Sequence, residues 1–234
     1  MNLKGKIGVI GVYYLNRASL IRHLVKILSS SQNWDVEQRW AALGEGEIAP
    51  ELKAYTLKKG SFWKFSAANQ LIQKENSFDY IFLCDDDVEL PEGFLDHYME
   101  WVLKYGFDLS QPARSHQSFI DHPFTEKIDG IKARLTRYVE IGPVVCISKR
   151  ALELLFPFPE FPPSGWGLDY HWPLILQKAG LKLGIIDHVS CIHNFRIPVK
   201  YYEQSNPWKE MEYFLSVNPH LKKEEAFQIL EVYV

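Results

Sequence analysis

The sequence predicts an α/β sandwich on a mainly parallel sheet, and three observations carry that prediction. Short apolar runs of strand length alternate with segments of helical periodicity over the first 187 residues or so. The run YIFLC shows no polar alternation, the pattern of a strand buried on both faces. Hydrophobic residues make up 47% and charged residues 24% of the 234-residue chain, enough apolar side chains to cover such a sheet with helices.

The elements follow in order. Residues 6–14 read as a buried strand, and Asn16 is placed to cap a helix running through Leu28, with Leu20, Leu24 and Ile27 on one face. A second strand is expected over 34–43, ending in the turn-rich GEGEIAP, and a helix over 63–74. After the strand at 80–84, Pro91 suits the first position of a helix, Glu92 its dipole, and Gly106 its end. Residues 139–147 form a further strand, after which Ser148 caps the short helix KRALELLF. The segment FPFPEFPPSGWG is too rich in proline and glycine for regular structure. A helix over 170–178 keeps Pro173 in its first turn, and 183–187 and 190–195 read as two closing strands. The tail from Ile197 is aromatic and helical, with boundaries at Asn206-Pro207 and Asn218-Pro219. The expected division is a catalytic domain over 1–195 and a helical extension over 196–234 packed on it.

Several classes are disfavoured. A net charge of −3 does not suit non-specific nucleic-acid binding, which needs a basic face. No apolar run reaches the length of about 18 residues that a membrane span needs, and the N-terminal run reads as a core strand, not a leader. Cys84, Cys146 and Cys191 lie in apolar strand-like segments without metal spacing, as buried thiols of a reducing cytoplasm do.

The stretch DYIFLCDDDVELPEG sets three consecutive carboxylates at a strand end. Ligands of open α/β sheets bind at the carboxyl ends of strands. Strand periodicity turns Asp85 and Asp87 to one face and Asp86 to the other. Two converging carboxylates can share a hard divalent cation such as Mn²⁺ or Mg²⁺, which offsets their repulsion. The plain alternative is a solvated acidic turn. The DxDxT of aspartate-nucleophile phosphatases fits less well, because Glu89 stands where Thr or Val belongs and the strand is not the first.

Together IGVIGVYYLNRAS, GSFWKFSAANQLI, DYIFLCDDDVELP and the later GWGLDYHW resemble glycosyltransferases of the GT-A fold, inverting-type enzymes of bacterial surface-polysaccharide synthesis in particular. The resemblance spans about residues 6 to 195 and implies a GT-A-like α/β/α sandwich. It implies a divalent cation on Asp87 bridging the diphosphate of a nucleotide-sugar, with Asp85 toward the ribose or donor sugar and Asp86 contacting either. His193, on a late strand, is the matching histidine ligand. Lys64 would neutralise phosphate charge, Asn69 would brace the nucleotide or the acidic loop, and Tyr13 and Arg17 would lie by the base and ribose. An amphipathic helix with an exposed lysine explains Lys64 and Asn69 without a ligand.

In SGWGLDYHW, Gly165 and Gly167 would let the backbone approach a ligand closely, and Trp166 offers a flat face to a sugar ring. Asp169, at a helix start, is either a cap or the acid that the resemblance makes the base for the acceptor hydroxyl. Gln111 and Arg114, with His116, Arg137 and Glu140 as further candidates, are expected on the acceptor side, where surface salt bridges are the alternative. The expected function is metal-dependent glycosyl transfer with inversion from a UDP-sugar, ahead of a GDP-sugar, to a carbohydrate or glycolipid. A nucleotidyltransferase and a binding domain without turnover are the alternatives; GVYYLNRAS lacks the glycine-rich basic loop of the former. The expected location is cytoplasmic, with peripheral contact of the aromatic tail at the inner membrane face.

Overall fold

The computed structural model of the chain describes residues 3–72, 78–197 and 206–234. One nine-stranded sheet runs through it in the order β3-β2-β1-β4-β7-β5-β8-β6-β9. The strands are β1 Lys6–Tyr14, β2 Asp35–Leu43, β3 Thr56–Gly60, β4 Tyr80–Cys84, β5 Leu109–Arg114, β6 Ala133–Thr136, β7 Val144–Ser148, β8 Leu183–Cys191 and β9 Ile229–Tyr233. The helices are α1 Ile21–Leu28, α2 Lys64–Leu71, α3 Phe94–Tyr105, α4 Lys149–Leu155, α5 Leu168–Lys178, α6 Pro207–Val217 and α7 Lys223–Ala226.

The expected α/β sandwich is there, but the sheet is mixed. Strands β1 to β4 are joined in parallel, as are β5 and β8, whereas β7, β6 and β9 join their neighbours antiparallel. Each face carries its own core. On one side Phe82 and Cys84 of β4 pack with Leu24 of α1 and Phe94 and Tyr98 of α3. On the other, Ile81 and Leu83 pack with Phe65 of α2, Ala151 of α4 and Trp172 of α5. The period-two alternation along YIFLC thus feeds both cores, which is why the run has no polar position.

Several boundaries differ from expectation, each for a local reason. Helix α1 starts at Ile21, not after Asn16, because the Leu20 amide is tied to the Asp86 carbonyl at 2.7 Å. Pro91 closes a turn, its carbonyl accepting from the Phe94 amide at 3.2 Å, and α3 begins only after Gly93. Glycine and proline at 142–143 delay β7 to Val144, so 139–143 is a loop. The polar residues His188 and Ser190 face outward from a single continuous β8, so 183–187 and 190–195 are not two strands. Helix α5 begins at Leu168, which leaves Pro173 inside it and not in its first turn. Strand β3, with Lys58 and Lys59 on an edge, had no apolar pattern to announce it. Ser148 caps α4 as expected, accepting from the Ala151 amide at 3.2 Å.

The extension is not helical throughout. Asn206 caps α6 by accepting from the Lys209 amide, as the Asn-Pro signal predicts. After α7, ILEVY forms β9, which pairs with β6 and adds an edge to the main sheet. The end of the helix expected over 63–74 and the tail residues 198–205 fall outside the described residues.

Candidate active site

Strand β1 lies between β2 and β4, so the chain leaves it in both directions and a crevice opens at the carboxyl ends of β1 and β4. The acidic triplet sits there, and its members take different partners. Asp85 pairs with Lys64 Nζ at 2.8 Å, and that ammonium also donates to the Ile141 carbonyl at 3.0 Å. Asp86 is buried and accepts from the Tyr14 amide at 3.0 Å. Arg196 spans the other two carboxylates, meeting Asp86 through Nη2 and Nη1 and Asp87 Oδ2 through Nε at 3.2 Å. Burial raises the pKa of Asp86 in spite of Arg196. Burial also acts on Asp87, but His193 and Arg196 outweigh it and hold that carboxyl below the usual range.

Asp87 Oδ1 faces His193 Nε2 at 3.2 Å. The other ring nitrogen, Nδ1, lies 2.5 Å from Arg114 Nη1. A guanidinium can only donate, so Nδ1 accepts and the ring proton sits on Nε2, toward Asp87. Arg114 is itself buried, bonded to Glu140 Oε2 at 2.8 Å and the Gly142 carbonyl at 3.1 Å. A hydrogen-bonded chain therefore runs from Glu140 through Arg114 and His193 to Asp87. Among the described residues no cluster of three or more metal-ligating side chains forms, because Asp85 is drawn to Lys64. The expected grouping of Asp85, Asp87 and His193 is reduced to Asp87 with His193.

Asp169 stands in the first turn of α5, nearly fully buried. Tyr138 donates to its Oδ2 at 2.9 Å, while Oδ1 is buried with no hydrogen-bond partner. Burial pushes this carboxyl up to about 7; the Tyr138 hydrogen bond works against that rise and the Glu140 charge adds to it. Backbone amides of Gly167 and Asp169 also act to lower it, and a carboxyl titrating near neutrality is a candidate general base.

Other expected site residues stand elsewhere. Tyr13 is buried and its hydroxyl meets Thr56 at 2.9 Å, because strand alternation turns Tyr14, not Tyr13, to the crevice. Tyr14 lies between two cations, with Arg17 at 4.7 Å and Arg196 at 5.3 Å from its ring centroid. Asn69 braces the proline-rich loop, its amide bonded to both the carbonyl and the amide of Phe158 at 2.8 Å. Gln111 is buried and accepts from the Glu140 amide at 2.6 Å, so it sets the Glu140 loop in place and does not face an acceptor. His116 is exposed beside Glu126 and Asp129, and Arg137 bonds Gln177.

The glycines of GWG serve packing. A Cβ on Gly165 would lie 2.1 Å from the Phe65 ring, and one on Gly167 would press on Met211, Phe214 and Leu215 of α6; both have left-handed φ, 80° and 97°. Trp166 between them is half-buried. A cavity of about 580 Å³ opens beside α3, lined by Glu89, Glu92, His97, Trp101, His188 and Ile192, without the triplet's own side chains.

Arg196 and Tyr138 were not picked out from the sequence. Arg196 belongs to no motif, and Tyr138 stands in LTRYVEIGP between Arg137 and Glu140.

No family model matches the sequence, and no curated protein matches it. Solved structures do match in fold. GalNAc-T7, in a structure with UDP, GalNAc and Mn²⁺, superposes with a TM-score of 0.57 at 12% identity, over 90% of this chain and 48% of that one. The S. aureus protein TarS, residues 1–349 with UDP-GlcNAc, gives a TM-score of 0.60 at 11% identity, over 94% of this chain and 68% of that one. The chain thus spans about half the length of the GalNAc-T7 chain. The fold is GT-A-like.

Proposed function

We propose that this protein transfers a sugar from a nucleotide-diphosphate-sugar to a hydroxyl acceptor, with inversion at the anomeric carbon. The observation that carries the reading is the acidic triplet at the crevice of a GT-A-like sheet, with Asp87 facing His193 at 3.2 Å. The nucleotides in the GalNAc-T7 and TarS structures favour UDP over GDP as the donor's base.

The donor set fits a divalent cation at Asp87 first. Its carboxylate is a hard oxygen ligand, and the imidazole beside it suits Mn²⁺ as well. Coordination through Nε2 would require the ring proton to move to Nδ1, against the Arg114 guanidinium that donates there. Arg114 on Nδ1 makes His193 the weaker donor of the two, since metal-bound histidines ordinarily donate from their second nitrogen. Bound there, the cation would stabilise the charge of the departing diphosphate.

The chain's own residues do the rest. Asp169 accepts the acceptor's proton, while Tyr138 holds Oδ2 and so fixes the carboxylate plane. Lys64 and Arg196 bring positive charge to the same crevice and offset that of the diphosphate. The acceptor in this reading is a carbohydrate or glycolipid of surface-polysaccharide synthesis, met at the cytoplasmic face of a membrane. Among the described residues no helix is long and apolar enough to cross one.

The test is UDP release from a panel of UDP-sugars, followed for the wild type and Asp169→Asn, with product configuration read by NMR of the anomeric proton. The reading predicts loss of roughly a hundredfold or more in rate, with UDP affinity retained. An Asp169→Asn variant that turns over at the wild-type rate removes the base from the mechanism.

A further inference from the structure

We infer that the acceptor is a saccharide that stacks on an aromatic strip made jointly by the GWG loop and α6, with Trp208 as its second ring beside Trp166. This rests on the glycosyl-transfer reading and adds to it a residue outside every recognised motif.

The loop and the helix run antiparallel along one another. Phe161 meets Tyr213 edge-on at 5.7 Å, Ser164 Oγ donates to Glu210 at 3.4 Å, and Trp166 meets Trp208 edge-on at 5.0 Å. Gly167, without a side chain, lets the loop settle on Met211, Phe214 and Leu215. Phe214 is buried in the core and fixes the helix. Yet the rings along the seam are open: Trp208 is 48%, Tyr213 61% and Phe161 42% exposed. Exposed aromatic rings of this size along one seam leave a face open to a ligand.

Two features say what that is. The strip leads along the loop into α5, whose first turn carries Asp169, the base of the reading above. The rim is acidic as well as aromatic: Glu160 and Glu212 are exposed and Glu210 half-buried, against Lys209 as the one cation of α6. Carboxylates beside aromatic faces suit a sugar, whose C–H face stacks while its hydroxyls donate outward. They oppose an anionic bilayer, which attracts lysine and arginine instead.

The experiment uses the full chain on a printed glycan array, comparing wild type, Trp208→Ala and Trp208→Phe, with UDP titrated calorimetrically into each. Wild type is expected to retain a set of oligosaccharides, Trp208→Ala to lose about tenfold in apparent affinity for that set, and Trp208→Phe to recover most of it. UDP affinity should be the same in all three. A wild type that retains no glycan, or a Trp208→Ala variant that retains the same set equally well, overturns the inference. So does burial of the tryptophans on phosphatidylglycerol vesicles, read as a blue shift lost in Trp208→Ala, because the strip would then be a membrane face. A wild type that binds glycans but no nucleotide sinks the donor reading and leaves the strip standing.

Discussion

The Tyr138 hydroxyl and the Asp169 carboxylate meet at 2.9 Å inside the protein, one oxygen of the carboxylate taken and the other left without a partner. The hydrogen bond stabilises the charged form of an acid that burial otherwise keeps protonated. Removing the donor with Tyr138→Phe should therefore move the rising limb of the pH–rate profile to higher pH and lower the rate at pH 7 several-fold. A profile that stays in place would show Tyr138 to be a packing residue only.

Asp169 also links stability to pH. Its carboxyl titrates at about 7 in the folded protein, against an ordinary 3.8. Between these values the folded state holds a proton that the unfolded state has released, so the wild type loses stability as pH rises through the window and levels off above it. Asp169→Asn carries no such dependence. It should match the wild type near pH 4 and exceed it at pH 8, by on the order of a few kcal/mol. Denaturant unfolding at both pH values checks this, and equal midpoints at pH 8 would contradict it.

Arg134 and Asp187 form a buried pair remote from the triplet. Both guanidinium contacts to the carboxylate are 2.9 Å, and the same side chain donates to the carbonyls of Phe124 and Glu126. Arg134→Met leaves Asp187 buried and uncompensated, with an expected cost of about 3–5 kcal/mol by chemical denaturation. The double variant Arg134→Met/Asp187→Leu should regain much of it. A single variant as stable as the wild type would mean that the pair contributes nothing.

Arg196 competes with any cation for Asp87. Arg196→Gln removes that positive charge, so Mn²⁺ should bind roughly fivefold more tightly in the absence of nucleotide, the scale of a partly exposed ion pair of about 1 kcal/mol. Titration followed by the electron paramagnetic resonance of free Mn²⁺ measures this directly. Weaker binding in the variant would place Arg196 in support of the cation site and not in competition with it.

What could be read from the sequence was what local chemistry determines alone. YIFLC had to be a two-faced strand, Ser148 and Asn206 had to cap, and the triplet had to lie at a strand end. What could not be read depended on partners distant in the chain. Asp85 and Asp87 look alike in DDD, and the positions of Lys64, His193 and Arg196 separate them. Asn69 resembles a ligand-binding amide until Phe158, 89 residues on, takes both of its ends. Tyr13 and Tyr14 differ by one step of strand phase, which the turn after β1 conceals. Strand β9 was missed because its apolar residues lie on an exposed edge, with no buried run to mark them.

In the proposed function the triplet holds the diphosphate of a nucleotide through Asp87. Calorimetric titration of UDP and then GDP, with and without Mn²⁺, on the wild type and Asp87→Ala tests it most directly. The account predicts UDP binding that needs Mn²⁺, exceeds that of GDP and disappears in Asp87→Ala. UDP binding indifferent to both the metal and Asp87, or no nucleotide binding at all, would contradict it and return the triplet to an acidic turn balanced by Lys64, His193 and Arg196.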